Sequence, residues 1–155
     1  MSEYFAKITW FRGKNEKYVD NKYSRGHQWA FDGGSTISAS SSPHIVPTPY
    51  SIESNVDPEE AFIASLSSCH ILFFLSIAAK RRFIVDRYQD NACGILEKNA
   101  AGKMSMTRVT LRPTIDFSAA TQPSIGQIEK MHHQSHAQCF IANSVNTEII
   151  IELGD

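Results

Sequence analysis

The sequence predicts an α+β fold in which antiparallel sheets surround one long, buried central helix. One observation is the apolar run at residues 61–79, which is dense enough for a core helix. A second is the predicted element order, β-β-β-α-β-β-α-β, which lacks the regular βαβ repeat of a doubly wound sheet. A third is the length of 155 residues, which suits one domain with a sizeable core. We therefore expect a single domain over residues 1–155.

Composition narrows the class of protein. A net charge of −1 gives no electrostatic reason to expect nucleic acid or an anionic membrane as a partner. The three cysteines are well separated and include no C-x-x-C pair, which argues against a disulfide framework and against a four-thiolate zinc site. We expect a protein of the reducing cytoplasm.

The ends of the central helix are marked by its flanking residues. Asp57 is a favourable N-cap, and Pro58 suits the first helical position, where its missing N–H is not needed. Glu59 and Glu60 place negative charge at the positive end of the helix dipole, and the cluster KRR at 80–82 places positive charge at the other end. The helix is predicted from 57/58 to about residue 82.

The middle of this helix shows no polar stripe. Apart from small serines, the polar side chains between residues 61 and 79 are His70 and Cys69, so we expect protein to surround the helix on every side. The competing interpretation is a membrane span, because the run is close to the roughly 20 residues that a bilayer requires. The serines, the histidine and the cysteine dilute the run, and no signal peptide or second span accompanies it. A soluble core helix is favoured.

Three strands are predicted before the helix. Aromatic and β-branched residues indicate strands, and the glycine pair GG at 33–34 indicates a tight hairpin turn between two of them. The long segment at 41–56 contains Pro43, Pro47 and Pro49 and is predicted to be an ordered loop. The predicted strands are residues 3–10, 27–32 and 35–40, with a polar, turn-like segment at 12–26.

After the helix the pattern predicts three more strands and a second helix. Ser124 followed by Gln127 is a capping-box signature, so a helix is expected from residue 125 to about 136. Pro113 indicates a bulge or an edge position inside the second of these strands. The predicted strands are residues 92–98, 103–116 and 146–153, with a turn at 99–102.

Two of the cysteines are candidate reactive groups. Cys69 lies in the middle of the central helix, flanked by Ser67, Ser68 and His70, a polar notch in an apolar element. Cys139 follows a histidine-rich segment. A lone cysteine on a buried helix is most often a small packing residue. Inert packing and a reactive thiol both remain open for Cys69 from its position alone.

Several short motifs together resemble a known family. The run DPEE at 57–60 is followed by Cys69, ten residues after its first glutamate, and later by the pattern His136-x-x-Cys139. The stretch SRGHQWAFDGG at 24–34 is similar to an N-terminal hairpin of the same family. In this order the motifs resemble the OsmC/Ohr family of hydroperoxide-resistance proteins over nearly the whole chain.

The resemblance implies a thiol peroxidase that reduces organic hydroperoxides. Cys69 would attack the peroxide and become a sulfenic acid, and Cys139 would condense with it to form an intramolecular disulfide. An external dithiol, with a lipoyl group as one candidate, would reduce that disulfide, and neither a metal nor a nucleotide cofactor would be needed. The family also implies an intertwined homodimer with the central helix buried in the assembly and two active sites at the subunit interface.

The resemblance also implies a cation beside the thiol. An apolar pocket raises a thiol pKa, so a fixed positive charge is needed to keep the thiolate. The matching residues are Arg25 and Glu59, an ion pair in which the carboxylate orients the guanidinium. Arg12 is the rival cation, and Glu59 has a simpler interpretation as a helix-dipole carboxylate. His136 is expected to support the second cysteine.

The sequence departs from the family pattern at two places. Members commonly continue the second motif as Cys-Pro-x-Ser, whereas Phe140 follows Cys139 here, and the next hydroxyl is Ser144. His70 stands beside Cys69, where an apolar residue is frequent. These changes affect the expected substrate size and peroxidase strength rather than the expected fold.

Two other functions remain as alternatives. In one, the chain binds small apolar ligands without catalysis, and Cys69 is packing. In the other, Cys69, Cys139 and His136 bind zinc, an interpretation suggested by the four-residue spacing of His132 and His136. No acidic cluster accompanies these residues, so metal binding is disfavoured. Cys93 has no matching family position and is expected to be a packing residue.

Overall fold

The computed structural model describes residues 1–154, which form two compact units, residues 1–61 and the chain from Phe62 onward. The helices and strands confirm the predicted α+β class. In chain order the elements are β1 (Ala6–Thr9), β2 (His27–Phe31), β3 (Thr36–Ala39), α1 (Pro58–Lys80), β4 (Val85–Asp90), β5 (Cys93–Lys98), β6 (Met104–Leu111), β7 (Pro113–Phe117), α2 (Ile125–Gln138), a 3-10 turn (Ala142–Ser144) and β8 (Glu148–Ile151).

The first unit is built on an antiparallel sheet in the order β1-β2-β3. Trp29 in β2 lies opposite Ile8 on one side and Ile37 on the other. The predicted hairpin between β2 and β3 is confirmed, and its turn contains Gly34 at φ 92°, a conformation that glycine adopts without a steric penalty. The long loop returns to this sheet, because Ser40 donates its backbone N–H to Val56 and forms a 3.0 Å bond.

Helix α1 begins with a capping box. The backbone N–H of Glu60 donates to the Asp57 carboxylate at 2.7 Å, and the N–H of Asp57 donates back to the Glu60 carboxylate at 3.2 Å. The predicted N-cap is therefore confirmed. The helix ends at Lys80, slightly before the predicted boundary, because Arg82 adopts a left-handed conformation with φ 64° and Phe83 bonds back to the Ala78 carbonyl at 3.0 Å.

The expectation that protein surrounds α1 on every side is wrong for the single chain. Leu66, His70 and Phe74 are buried along one face, whereas the Leu72 side chain is 66% exposed on another. The helix has the length and apolar composition of a membrane span, and 28% of its most apolar window is buried. Apolar composition does not reveal which face packs, because nearly every position of this helix is apolar or small.

The second unit contains two sheets and two apolar clusters. One sheet has the order β5-β6-β8, in which β5 is antiparallel to β6 and β8 is parallel to it, a pairing that the antiparallel prediction did not include. The other sheet pairs β4 with β7. The buried members of the first cluster are Phe74, Ile77, Ala78 and Met131, and those of the second are Leu66, Val109 and Leu111.

The strand predictions of this unit need two corrections. Strand β4 was not predicted at all, and the predicted strand at 103–116 is in fact β6 and β7, which belong to different sheets. The chain changes sheet at Arg112, whose N–H donates to the Asp90 carboxylate at 2.6 Å, and Pro113 cannot donate to a ladder. The predicted capping box of Ser124 and Gln127 is confirmed at the start of α2.

Candidate functional site

The structure brings the Cys69 and Cys139 thiols together within the second unit. Cys69 projects from the middle of α1 and is half-buried, while Cys139 is the C-cap of α2 and is 1% exposed. The two side chains are close enough for the Cys69 thiol to affect the pKa of Cys139. The Cys139 sulfur also accepts the backbone N–H of Ala142 at 3.4 Å. Both thiols are free, so the pair is placed for mutual chemistry in the reduced state.

The two thiols lie in different environments. Burial, followed by the interaction with the neighbouring Cys69 thiol, raises the pKa of Cys139 to about 11. Cys139 therefore stays protonated at neutral pH. Because the thiolate is the competent nucleophile, the more accessible Cys69 is the candidate attacking group and Cys139 the candidate second thiol.

A buried histidine pair joins α1 to α2. The Nε2 atom of His70 lies 2.9 Å from the Nδ1 atom of His132, and the two rings are parallel within 7°. The His132 ring also packs against Phe74, with ring centroids 4.4 Å apart. Burial is the main cause that lowers the pKa of His70 to about 4, with the nearby His136 lowering it further and Asp90 opposing. Burial and then His70 lower the pKa of His132 to about 3, so the pair is neutral near pH 7.

Strand β4 supplies polar neighbours to this histidine pair. The Ser67 hydroxyl donates to the Asp90 carboxylate, and Asp90 interacts electrostatically with both His70 and Tyr88. Burial, and then Asp90, raise the pKa of Tyr88. In the part of the chain that the structure describes, the Tyr88 hydroxyl and the His132 Nε2 atom are buried without a hydrogen-bond partner. This cluster could not be predicted without β4, and its one signal in the sequence is His70 in the polar notch.

His136 lies between the histidine pair and the thiols along α2. Its carbonyl accepts the backbone N–H of Cys139 at 3.2 Å, and its side chain is close enough to affect the pKa of His70. Over residues 1–154 no group of three or more His, Cys, Asp or Glu side chains is arranged to hold a metal ion. The zinc alternative therefore has no geometric support in this region.

Arg25 belongs to the first unit and is held by its own loop. One terminal nitrogen, Nη1, donates to the carbonyls of Asn21 at 2.9 Å and Tyr23 at 2.6 Å, and Nη2 donates to the Asn21 side-chain oxygen at 2.8 Å. The guanidinium carbon lies 3.7 Å from the centre of the Tyr23 ring, a cation–π contact. The expected ion pair with Glu59 is not formed among the residues described; Glu59 lies half-buried in the first turn of α1.

Arg25 contributes to a cavity of about 360 Å³ within the first unit, which we call the aromatic cavity. The Tyr18 and Tyr23 rings lie 4.7 Å apart, and Trp10 contacts both rings at 5.9 and 5.7 Å. The Trp10 side chain is fixed by a 2.8 Å bond to the Ser24 carbonyl. The residues that line the cavity include Trp10, Tyr18, Tyr23, Arg25, His27 and Ser41.

Two further sequence expectations can be compared with the structure. Cys93 is exposed at the start of β5, close enough to Arg112 to affect its pKa. Its expected packing role is therefore wrong. Ser144 donates its hydroxyl to the Phe140 carbonyl at 2.7 Å and closes the 3-10 turn after Cys139.

Comparisons with known proteins agree with this fold. The family model described as OsmC-like protein matches residues 52–154. No curated protein matches the chain. An OsmC-like protein of unknown function from Vibrio cholerae is 60% identical, with a TM-score of 0.98, and the alignment covers 99% of this chain and 100% of that one.

More distant solved structures share the architecture. An organic hydroperoxide resistance protein OsmC from Legionella pneumophila is 14% identical with a TM-score of 0.72, covering 100% of this chain and 98% of that one. The organic hydroperoxide resistance protein OhrB of Bacillus subtilis is 16% identical with a TM-score of 0.65, covering 97% and 98%. At these identities the likeness shows the fold. Together with the family match over about two-thirds of the sequence, it establishes that this chain belongs to the OsmC-like protein family.

Proposed function

We propose that this protein is a thiol peroxidase that reduces organic hydroperoxides to alcohols, with Cys69 as the peroxidatic and Cys139 as the resolving cysteine. The observation that carries the proposal is the proximity of the two thiols, which come from distant parts of the sequence. Two structural relatives that share the fold are described as organic hydroperoxide resistance proteins, which supports a peroxide-related role.

The proposed catalytic cycle has three steps. The Cys69 thiolate attacks the distal peroxide oxygen, the O–O bond breaks, and the alkoxide leaves and takes a proton, which gives an alcohol and a Cys69 sulfenic acid. The Cys139 thiol then attacks the Cys69 sulfur and releases water as the disulfide forms. An external dithiol returns the disulfide to two thiols and is itself oxidised to a disulfide. A lipoyl group is one such dithiol, and no metal or nucleotide takes part.

The remaining assignments follow the family resemblance. Arg25 would stabilise the thiolate or the peroxide oxygen, Glu59 would orient the guanidinium, and His136 would support Cys139. Because Asn21 and Tyr23 already hold Arg25 in this structure, we expect substitution of Glu59 to reduce activity less than substitution of Arg25. The reducing cytoplasm suits a cycle that depends on free thiols.

We also propose that the working form is a homodimer. Leu72 on α1 and Phe5 and Ile8 beside or within β1 are exposed in the single chain. Exposed large apolar side chains are often covered by a partner, and a second copy of the chain would cover these. Sedimentation equilibrium of the purified protein tests this proposal, and a monomer at micromolar concentration would contradict it.

Mass spectrometry after one equivalent of cumene hydroperoxide tests the peroxidase proposal. We expect a loss of two hydrogens that maps to a Cys69–Cys139 linkage. Cys69→Ser should abolish multiple turnover, whereas Cys139→Ser should accept one oxygen on Cys69 and then stop. Cys93→Ser is the matched control, because it removes the exposed third thiol and should leave turnover unchanged. Turnover that persists in Cys69→Ser would overturn the proposal.

A second candidate function is the binding of small apolar ligands without catalysis. The aromatic cavity favours it, because a cavity of about 360 Å³ walled by aromatic rings is of the size and character of small-molecule sites. The same mass spectrometry separates the two functions. An unchanged mass after peroxide, or oxidation confined to methionines, would favour ligand binding over peroxidase chemistry.

A further inference from the structure

We propose that the aromatic cavity of the first unit binds a compact aromatic carboxylate. The inference uses residues within 10–41 and neither thiol; Arg25 is the one residue that it shares with the proposed peroxidase. It depends on three observations in one cavity: a wall of aromatic rings, a cation with an unused hydrogen-bonding edge, and a buried hydroxyl without a partner.

The aromatic wall favours a flat, apolar ligand. Trp10, Tyr18 and Tyr23 contact one another at tilted or edge-to-face angles, with ring centroids between 4.7 and 5.9 Å apart. Rings in such arrangements present faces and edges to which another aromatic ring can pack. Tyr18 has a left-handed backbone with φ 68°, which is uncommon for a bulky residue. Such conformations are often found at ligand sites.

Arg25 supplies the charge and a directional contact. A guanidinium has five N–H donors, and Asn21 and Tyr23 together accept two bonds from Nη1 and one from Nη2, and none from Nε. The Nε hydrogen and a second Nη2 hydrogen remain, on two nitrogens that lie on the same edge of the group. No acceptor for either appears in the described part of the chain, and Arg25 forms no ion pair there. A planar carboxylate matches such an edge with two parallel hydrogen bonds.

The other charged groups of this loop do not neutralise the cavity. Glu16 accepts the backbone N–H groups of Gly13 and Ser24, each at 2.9 Å, and Asp20 accepts that of Lys22 at 3.0 Å. Neither carboxylate lines the cavity. Arg25 is the charged side chain among the residues that line the cavity, and no carboxylate lines it, which favours an anionic ligand.

The uncharged polar side chains of the cavity include one hydroxyl that has no hydrogen-bond acceptor. His27 is held in one tautomer: its Nε2 atom accepts from the Trp29 indole at 3.1 Å, so its Nδ1 atom donates to the Arg25 carbonyl at 2.7 Å. Both ring nitrogens are thus occupied. The Ser41 hydroxyl is buried and has no partner within residues 1–154. A carboxylate oxygen that reaches it would supply the missing acceptor.

Calorimetric titration of the full-length, reduced protein with benzoate tests the proposal. Benzyl alcohol has the same ring without the charge, acetate has the carboxylate without the ring, and inorganic phosphate is an anion of different shape. We expect one benzoate per chain and an affinity at least about tenfold higher than for each of the other three, because only benzoate engages both the rings and the guanidinium edge. Benzoate binding should persist in Cys69→Ser, because the proposed site does not use this thiol.

Variants connect the binding to the cavity. Arg25→Gln should weaken benzoate about tenfold and change benzyl alcohol less than about twofold, while Ser41→Ala should weaken benzoate about threefold. Arg12→Gln is the matched control, because this neighbouring arginine bonds to the Glu16 carbonyl and does not line the cavity; it should leave benzoate affinity unchanged. Arg25→Lys keeps the charge but loses the paired N–H donors of the guanidinium. Its benzoate affinity should therefore lie between those of the wild type and Arg25→Gln.

Three outcomes would overturn the proposal. They are the absence of saturable benzoate binding up to about 10 mM, an affinity for benzyl alcohol or phosphate equal to that for benzoate, and an unchanged benzoate affinity in a folded Arg25→Gln protein. Circular dichroism establishes that each variant is folded. If Arg25→Gln does not fold, the benzoate affinities of Ser41→Ala and Arg25→Lys test the proposal instead. Wild-type affinity in both variants would overturn it.

Discussion

The two units bury different kinds of residue. In the first unit Ala39 is the buried hydrophobic side chain, and the other buried residues are polar: Ser40, Ser42, Ser51 and Asp57. In the second unit Leu66, Phe74, Val109, Leu111 and Met131 are buried to 1% exposure or less. Hydrogen bonds such as that from the Ile52 N–H to the Ser40 hydroxyl organise the first unit, whereas apolar packing organises the second. A packed core holds side chains in single positions, which suits a pair of thiols that must meet.

The first unit also leaves more apolar surface uncovered for its size. Its exposed large side chains include Tyr4, Phe5, Ile8, Phe11 and Val19. An arrangement with few buried and many exposed hydrophobic residues is unusual for an independent unit. The difference between the units therefore agrees with the homodimer proposed above, in which a second copy would supply the missing cover.

The largest expected effect is on stability, and it distinguishes a buried from an exposed leucine on α1. Leu66 is 1% exposed and Leu72 is 66% exposed. Leu66→Ala should lower the free energy of unfolding by about 2–5 kcal/mol, because it removes packed atoms and leaves a cavity. Leu72→Ala should change it by less than about 0.5 kcal/mol in the monomer. Urea unfolding at low protein concentration measures both. A large loss for Leu72→Ala that grows with protein concentration would show that a partner covers this face.

A smaller effect concerns pH and the buried His70–His132 pair. Both pKa values are lowered in the folded state, to about 4 and about 3 from 6.5, so the unfolded chain binds more protons below pH 6.5. The stability that the neutral pair contributes is complete above pH 6.5 and is lost as the pH falls toward 4. The slope is at most about 1.4 kcal/mol per histidine per pH unit. Urea unfolding between pH 7.5 and 4.5 measures it.

A double variant isolates the contribution of this pair from general acid effects. Replacing His70 and His132 together by Phe avoids leaving one unpaired imidazole, and it should flatten the pH dependence between 6.5 and 4.5. His133→Gln is the matched control, because this adjacent histidine is exposed, and it should keep the wild-type slope. Equal slopes in the wild type and the double variant would mean that carboxylates, including Asp90 beside the pair, control the acid response.

The smallest effects concern the two capping boxes, one in each unit. Asp57→Ala should cost about 1–2 kcal/mol, because the buried carboxylate accepts an N–H at 2.7 Å and also faces the positive end of α1. Ser124→Ala should cost about 0.5–1 kcal/mol, because its hydroxyl is neutral, exposed and 3.3 Å from its donor. Thermal unfolding measures both losses. Asp57→Asn keeps an acceptor and should recover most of its loss, and equal losses at the two caps would contradict the argument from charge.

The sequence predicted correctly those elements that are determined by a few neighbouring residues. The cap at Asp57, the box of Ser124 and Gln127, and the hairpin at Gly34 each depend on a few neighbouring residues. Strand β4 was missed because its sequence, VDRYQD, is mostly polar and is held by pairing with β7, a distant partner. The division at Arg112 was missed for the same reason, since Asp90 accepts its N–H across the two strands.

The candidate site was predictable only in part. The family resemblance identified Cys69 and Cys139, and the structure brings their thiols together. The histidine pair could not be anticipated, because the contact between His70 and His132 depends on how α1 packs against α2. The loop around Arg25 is another such case: its carbonyls, rather than a distant carboxylate, hold the guanidinium.

The parallel pairing of β6 with β8 has a consequence for how the chain folds. Strand β6 lies at the centre of its sheet, and its second neighbour begins only at Glu148, after α2 and the 3-10 turn. During synthesis β5 and β6 can form a hairpin early, but one edge of β6 keeps its N–H and C=O groups unpaired until β8 emerges. Such an edge can pair with another nascent chain, and closing a contact over this separation is slow. We therefore expect the second unit to fold late and to need protection from aggregation at high expression.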